Sequence, residues 1–184
     1  MSAYYLLQDI DKCIGCGTCE MQCKINKGIS PEPRLCKVVS IGLKWVETVP
    51  RGYYVFMNCF HCENPLCVAV CPTHAMQKRE KDGIVFIEED RCVGCKLCIH
   101  ACPWGAPQWN PETGKAVKCD LCKDRIDVGL LPDCVGACPT GCLSFGNIDR
   151  MSASIRFSHK AHLAAREKTG AASCTPEKIG DRVG

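Results

Sequence analysis

Cys92-Val93-Gly94-Cys95-Lys96-Leu97-Cys98-Ile99-His100-Ala101-Cys102-Pro103 places four thiols within a dozen residues, a density that points to a bound group. Written as Cys-x2-Cys-x2-Cys-x3-Cys-Pro, the stretch brings three thiolates around one inorganic centre. The fourth, one helical turn further on, faces away toward a neighbouring centre. One such motif therefore implies a second.

The rest of the chain supplies three more. Cys13, Cys16, Cys19 and Cys23 repeat the spacing, with Lys24 where the proline stands in the first stretch. Cys59, Cys62, Cys67 and Cys71-Pro72 repeat it with a longer second gap, and Cys119, Cys122, Cys134 and Cys138-Pro139 repeat it with a loop inserted between the second and third cysteines. Of 19 cysteines, all but Cys36, Cys142 and Cys174 fall into quartets of the kind that hold iron–sulfur cubes. Structural zinc closes with two Cys-x2-Cys pairs or with histidines, whereas these come as triplets plus a distant fourth. A disulfide framework belongs to exported chains, and Met1 to Asp9 has neither a basic leader nor an apolar run.

The chain has 184 residues, 46% of them apolar and only 7% aromatic, enough for one modest core or two. Its formal charge of +3 counts each cysteine as neutral. An oxidised cube with four thiolates carries about −2, so four would bring the loaded protein to about −5. The basic balance is thus no argument for nucleic acid. Lys12, Lys96, Lys118 and Lys123, beside the ligands, read either as offsets to cluster charge or as ordinary solvated lysines. No run of residues is long and apolar enough for direct membrane insertion.

Taken in order, Tyr4 to Ile10 reads as a strand, and Gly15 and Gly17 let the first motif turn closely around its centre. A short helix over Met21 to Ile25 carries Cys23. Residues 37–41, 44–49 and 53–57 read as three short strands punctuated by Gly42 and Pro50-Arg51-Gly52, the expected place for a core independent of the cysteines. Between the second and third motifs, Pro72 to Met76 and then Glu80 to Arg91, with Asp82-Gly83 at the turn, read as the hairpin joining the halves of a two-cluster ferredoxin. By the crossing rule, Cys59, Cys62, Cys67 and Cys102 then hold one cube and Cys71, Cys92, Cys95 and Cys98 another. The outer motifs pair in the same way, from the repeat: Cys13, Cys16, Cys19 and Cys138 for a third, Cys23, Cys119, Cys122 and Cys134 for a fourth. Gln108 to Val117 reads as a second hairpin turning at Pro111 to Gly114, and Lys123 to Asp133 as a surface loop.

The expected fold class is α+β: two nested two-cluster ferredoxin-like modules with short helices and β-hairpins around four [4Fe-4S] cubes. Residues 1–35 and 103–150 form the outer module and 36–102 the inner one, with its β insertion. Residues 151–184 read as a basic helix with a polar end, or as an arm that docks on a larger subunit.

The stretches Cys59 to Thr73, Cys102 to Asn110 and Lys118 to Arg125 are similar to the four-cluster electron-transfer subunits of molybdenum and tungsten oxidoreductases. This family includes the iron–sulfur subunits of dimethyl sulfoxide reductase, formate dehydrogenase and polysulfide reductase type enzymes, and the likeness covers about Tyr4 to Ile148. It implies a wire of four cubes between a large molybdenum- or tungsten-pterin catalytic subunit and a further electron donor or acceptor. The partner is of the dimethyl sulfoxide reductase type or, for tungsten, of the aldehyde oxidoreductase type. With no membrane helix at the carboxy end and no twin-arginine leader visible, a cytoplasmic complex is expected, unless a partner's leader carries the subunit out. No bond chemistry is expected of the chain itself. A free polyferredoxin shuttling between soluble enzymes is the rival reading.

His61 and His74 read as histidines beside or outside the ligand sets, Cys36 and Cys142 as small apolar residues, Cys174 as a free thiol, and Trp104 and Trp109 as shields for the centres.

Overall fold

Cysteine loops recur too often for helices to grow long, and the longest helix among the described residues, α1 (Thr18–Lys27), has 10 residues. The computed structural model describes residues 4–30, 32–46, 48–147 and 151–152. Contacts divide the chain into a unit Met1–Met151 and a second, Ser152–Gly184, and the first carries everything that follows. The reading of 151–184 as a helix or docking arm, Cys174 included, lies outside the described residues apart from Met151 and Ser152.

Four two-stranded antiparallel sheets connect the loops. β1 (Tyr4–Gln8) pairs with β8 (Leu143–Asn147), in register from Tyr4 opposite Asn147 to Gln8 opposite Leu143, so the first and last strands close on each other. β4 (Met76–Lys78) pairs with β5 (Val85–Ile87), and β6 (Gln108–Asn110) with β7 (Lys115–Val117), as the Asp-Gly and Pro111–Gly114 turns predict. The four remaining helices are single turns: α2 (Leu66–Ala69), α3 (Leu97–Ala101), α4 (Lys123–Asp127) and α5 (Asp133–Gly136). α1 packs on α5 beside the β1–β8 ribbon, and α2 packs on α3 beside β4. These small helices and antiparallel ribbons are compatible with an α+β ferredoxin-like fold.

Two expectations are corrected. The three strands predicted over 37–57 are two long ones, β2 (Lys37–Val46) and β3 (Val49–Met57), paired continuously from Lys37 opposite Met57 to Val46 opposite Val49. Gly42, at φ 103, absorbs a register shift next to Ser40 instead of ending the strand. Pro50 is tolerated because both strands of a two-stranded ribbon are edges. Nor does this ribbon hold a separate core: beyond Tyr54 it projects, leaving Leu43 and Trp45 each 75% exposed. Its base is pinned by Gln8, whose amide donates to the Tyr54 carbonyl at 2.9 Å and accepts from the Phe56 amide at 2.8 Å. The Glu20 carboxylate adds a bond from the Val38 amide.

The buried interior is built largely of sulfur. One core joins Cys19, Cys36, Phe56, Cys142 and Leu143, flanked by Cys13, Cys23, Cys134 and Cys138. The other joins Cys67, Met76, Val85, Cys98 and Ala116, flanked by Cys71 and Cys92. Residues 123–133, expected as a loop, open with α4, run exposed through Val128, Leu130 and Leu131, and dive inward at the buried Pro132 and Asp133.

Glycine is forced where an aromatic ring closes on a turn. Gly15 lies under the Tyr54 ring, and a methyl there would come within 2.5 Å of it. Gly94 lies under Trp109, and a methyl there would meet the Gly114 carbonyl at 2.4 Å. Gly17, at φ 73, has nearly the backbone angle of Gly94, φ 71, yet a methyl on it meets nothing within 4 Å. Gly17→Ala is therefore expected to cost about 1–2 kcal/mol, the left-handed penalty alone, and Gly94→Ala clearly more; thermal unfolding of both variants, followed by circular dichroism without oxygen, measures the difference.

Candidate iron–sulfur cluster sites

Every motif bends at the same place. The residue before its second cysteine has positive φ: Gly15 at 69, His61 at 47, Gly94 at 71 and Leu121 at 52. Left-handed backbone is uncommon outside glycine and is kept where the surroundings impose it. The elbow turns an amide back on sulfur, as with His61 N–H, 3.4 Å from Cys59 Sγ. The glycines announce two of these elbows in the sequence. His61 and Leu121 escape notice, and only alignment of the four motifs on their cysteines reveals them.

After the elbow a short helix begins. Gly17, Lys96 and Cys122, all left-handed, cap α1, α3 and α4. α1 carries both Cys19 and Cys23, α3 carries Cys98 just before Cys102, α2 carries Cys67, and α5 carries Cys134.

The predicted residues meet in groups. Cys13, Cys16, Cys19 and Cys138 line one cavity. Cys23, Cys119, Cys122 and Cys134 line a second, and Cys71, Cys92, Cys95 and Cys98 a third. Cys59, Cys62 and Cys102 all act electrostatically on Cys67, which gathers the remaining four. Cys142 also lines the first cavity and Cys36 the second. All the described cysteines are free thiols.

Burial sorts these thiols into two kinds. Desolvation pushes Cys19 and Cys98 up to about 11 and Cys119 up to about 12, and raises Cys134 further. Hydrogen bonding wins elsewhere. In Cys71, burial is outweighed by the Met76 amide, 3.4 Å away, and the Thr73 hydroxyl. In Cys138, burial is outweighed by the Thr140 hydroxyl, the Cys142 thiol and the amides of Cys142 and Leu143, leaving it at about 7. The Thr18 hydroxyl, at 3.3 Å, lowers Cys16 in the same way.

Lys118 is only 6% exposed and donates to the carbonyls of Val85 and Cys119. It is no solvated lysine. Burial raises Cys67 and Cys119 and the Lys118 charge works against that rise, whereas at His61 burial lowers the pKa and the Lys118 charge adds to it. The His61 Nδ1 accepts from the Val85 amide at 2.9 Å, which leaves the ring proton on a buried Nε2 with no protein partner. His74 is exposed. Lys12 pairs with Asp9, Lys123 with Asp124, and the Lys96 ammonium lies 4.0 Å over the Trp109 ring that covers Gly94. Trp104 is 56% exposed and meets the exposed Phe60 edge-on.

These features fit [4Fe-4S] cubes. Among the described residues no three His, Cys, Asp or Glu side chains converge on a single ion. The donors are thiols throughout, amides and hydroxyls point at sulfur, and a buried ammonium stands ready for negative charge.

The profile of the 4Fe-4S dicluster domain matches residues 51–148, and that of a 4Fe-4S binding domain matches residues 10–27. The B subunit of anaerobic dimethyl sulfoxide reductase from Escherichia coli (strain K12) is 43% identical over 155 residues, covering 80% of this chain and 75% of its own length. The thiosulfate reductase electron transfer subunit PhsB of Salmonella typhi is 39% identical over 151 residues, 79% of this chain and 77% of its own length. The iron–sulfur subunit of nitrate-inducible formate dehydrogenase from Escherichia coli (strain K12) is 33% identical over 189 residues, 95% of this chain and 64% of its own length. With one profile spanning more than half its length and relatives this similar, the chain belongs to the 4Fe-4S dicluster family, together with the B subunit of dimethyl sulfoxide reductase.

Proposed function

We propose that this chain is an electron-transfer subunit with four [4Fe-4S] clusters, working between a molybdenum- or tungsten-pterin catalytic subunit and a further redox partner. The single observation that carries the reading is the gathering of cysteines from distant motifs around common cavities, Cys138 with Cys13, Cys16 and Cys19 above all. When bound, such clusters take up and release one electron at a time.

The residues divide that work. Cys13, Cys16, Cys19 and Cys138 hold one cluster, and Cys23, Cys119, Cys122 and Cys134 its neighbour in the outer module of residues 1–35 and 103–150. Cys59, Cys62, Cys67 and Cys102 hold a third, and Cys71, Cys92, Cys95 and Cys98 the fourth, in the inner module of residues 36–102. Amides at Cys59 and Cys71, and at Cys102 from Ala106 N–H at 3.4 Å, steady the ligand sulfurs and favour added negative charge. Lys118, buried beside Cys119, does the same through its charge. The relatives are named as parts of reductases and of a dehydrogenase, which supports a subunit over a free polyferredoxin.

Native pull-down from cells grown and lysed without oxygen is expected to bring down a large subunit containing molybdenum or tungsten, with about sixteen irons per copy of this chain. A lone chain with the same iron content would favour the free carrier. Cys98→Ala is expected to alter the EPR signal and lower the iron content of one centre, while Cys174→Ala changes neither; iron analysis beside EPR separates them. Because proposed ligand cysteines sit in both cores, oxidative removal of iron with a chelator should abolish the near-ultraviolet dichroism and open the chain to protease, as for other domains folded around a metal.

A further inference from the structure

The cavity lined by Cys13, Cys16, Cys19 and Cys138 holds a fifth thiol, Cys142, 3.4 Å from Cys138 Sγ. The molecule contains its own comparison for this residue. Cys138-Pro139-Thr140-Gly141-Cys142-Leu143 and Cys71-Pro72-Thr73-His74-Ala75-Met76 are the same turn. In each, the fourth residue has positive φ, 60 at Gly141 and 52 at His74, and its amide donates to the carbonyl of the leading cysteine at 3.2 Å. In each, a threonine hydroxyl lies beside the cysteine sulfur, at 3.5 Å for Thr140 and 3.8 Å for Thr73. Each runs directly into a strand, β8 or β4. The fifth residue is buried in both turns and lines the cavity in both, yet it is a thiol at Cys142 and a methyl at Ala75.

At this position, then, one turn offers a donor that the other lacks. A cysteine that binds iron does so as a thiolate and has no proton to give. Between Cys138 and Cys142, the proton in their contact must then come from Cys142. Nor is Cys142 needed as a ligand, because the equivalent turn supplies its cysteine from the position of Cys71, which corresponds to Cys138. A hydrogen bond to a ligand sulfur favours the reduced, more negative state of a cluster.

We propose that Cys142 is a positioning residue that raises the reduction potential of the centre held by Cys13, Cys16, Cys19 and Cys138, by donating its S–H to Cys138 Sγ. The inference rests on the cluster reading proposed above. It distinguishes the outer centre from its inner counterpart, where Ala75 offers no such proton. On reduction the cluster gains one electron and the thiol keeps its hydrogen, so no proton is exchanged through Cys142.

The test is an EPR-monitored redox titration, with iron analysis, of the full chain purified without oxygen as wild type, Cys142→Ala and Cys142→Ser. Ala75 in the same turn shows that alanine is accommodated. Iron content is expected to be equal in all three. One midpoint potential should fall in Cys142→Ala while the others stay, and the serine hydroxyl should return it toward the wild-type value. Unchanged potentials in Cys142→Ala would overturn the proposal, as would a shift of every centre in both variants, the mark of general distortion. Iron lost from Cys142→Ala but retained in Cys138→Ala would make Cys142 the ligand and overturn it too. A wild-type chain without [4Fe-4S] signals would instead refute the cluster reading on which the inference stands.

Discussion

Convergence of sulfur is the constraint on which the rest of this structure depends. In the proposed arrangement each quartet takes three cysteines from one motif and a fourth from another. The left-handed elbows at Gly15, His61, Gly94 and Leu121 are what that requires of the backbone. Burial holds the thiols of Cys19, Cys98 and Cys119 up at about 11 or 12. Few large aliphatic side chains are fully buried, Ile84 and Val85 among them. Sulfur takes the place that leucine and isoleucine fill in an ordinary core.

The repeat is held together by polar ties between its parts. Tyr4 to Gln8 closes on Leu143 to Asn147, bringing the first motif beside the fourth. Lys27 on α1 pairs with Asp120 of the fourth motif at 2.8 Å; burial alone would lower the lysine's pKa, but the carboxylate outweighs it. Asp127 accepts from both Arg79 and Lys81, each at 2.8 Å, and clips α4 to the turn between β4 and β5. Arg79 also grips Asp82 at that turn. The ties to Asp120 and Asp127 join the fourth motif to segments far from it in sequence.

The β2–β3 ribbon stands apart from this economy. A two-stranded ribbon is marginal in water by itself. Here Gln8 and Glu20 fix its base, and Tyr54 extends that anchorage by covering Gly15.

The ligand triplets, the two short hairpins and the family resemblance were legible in the sequence because each depends on residues only a few positions apart. Cys-x2-Cys spacing, Asp82-Gly83 and Pro111 to Gly114 carry their geometry in their own backbone preferences. Less was legible where geometry is imposed from outside: no propensity places His61 or Leu121 in left-handed backbone, and no pattern shows that Lys118 is buried or Trp104 exposed. The long ribbon was misread because Gly42 and Pro50 break strands in general, though not in a pair whose edges both face solvent. The sequence by itself determined which cysteines are grouped into motifs, since that grouping is local. Only the tertiary structure decided that Cys142 lies against Cys138 and Cys36 beside the second cavity, because those contacts form where separate turns of the chain are packed together.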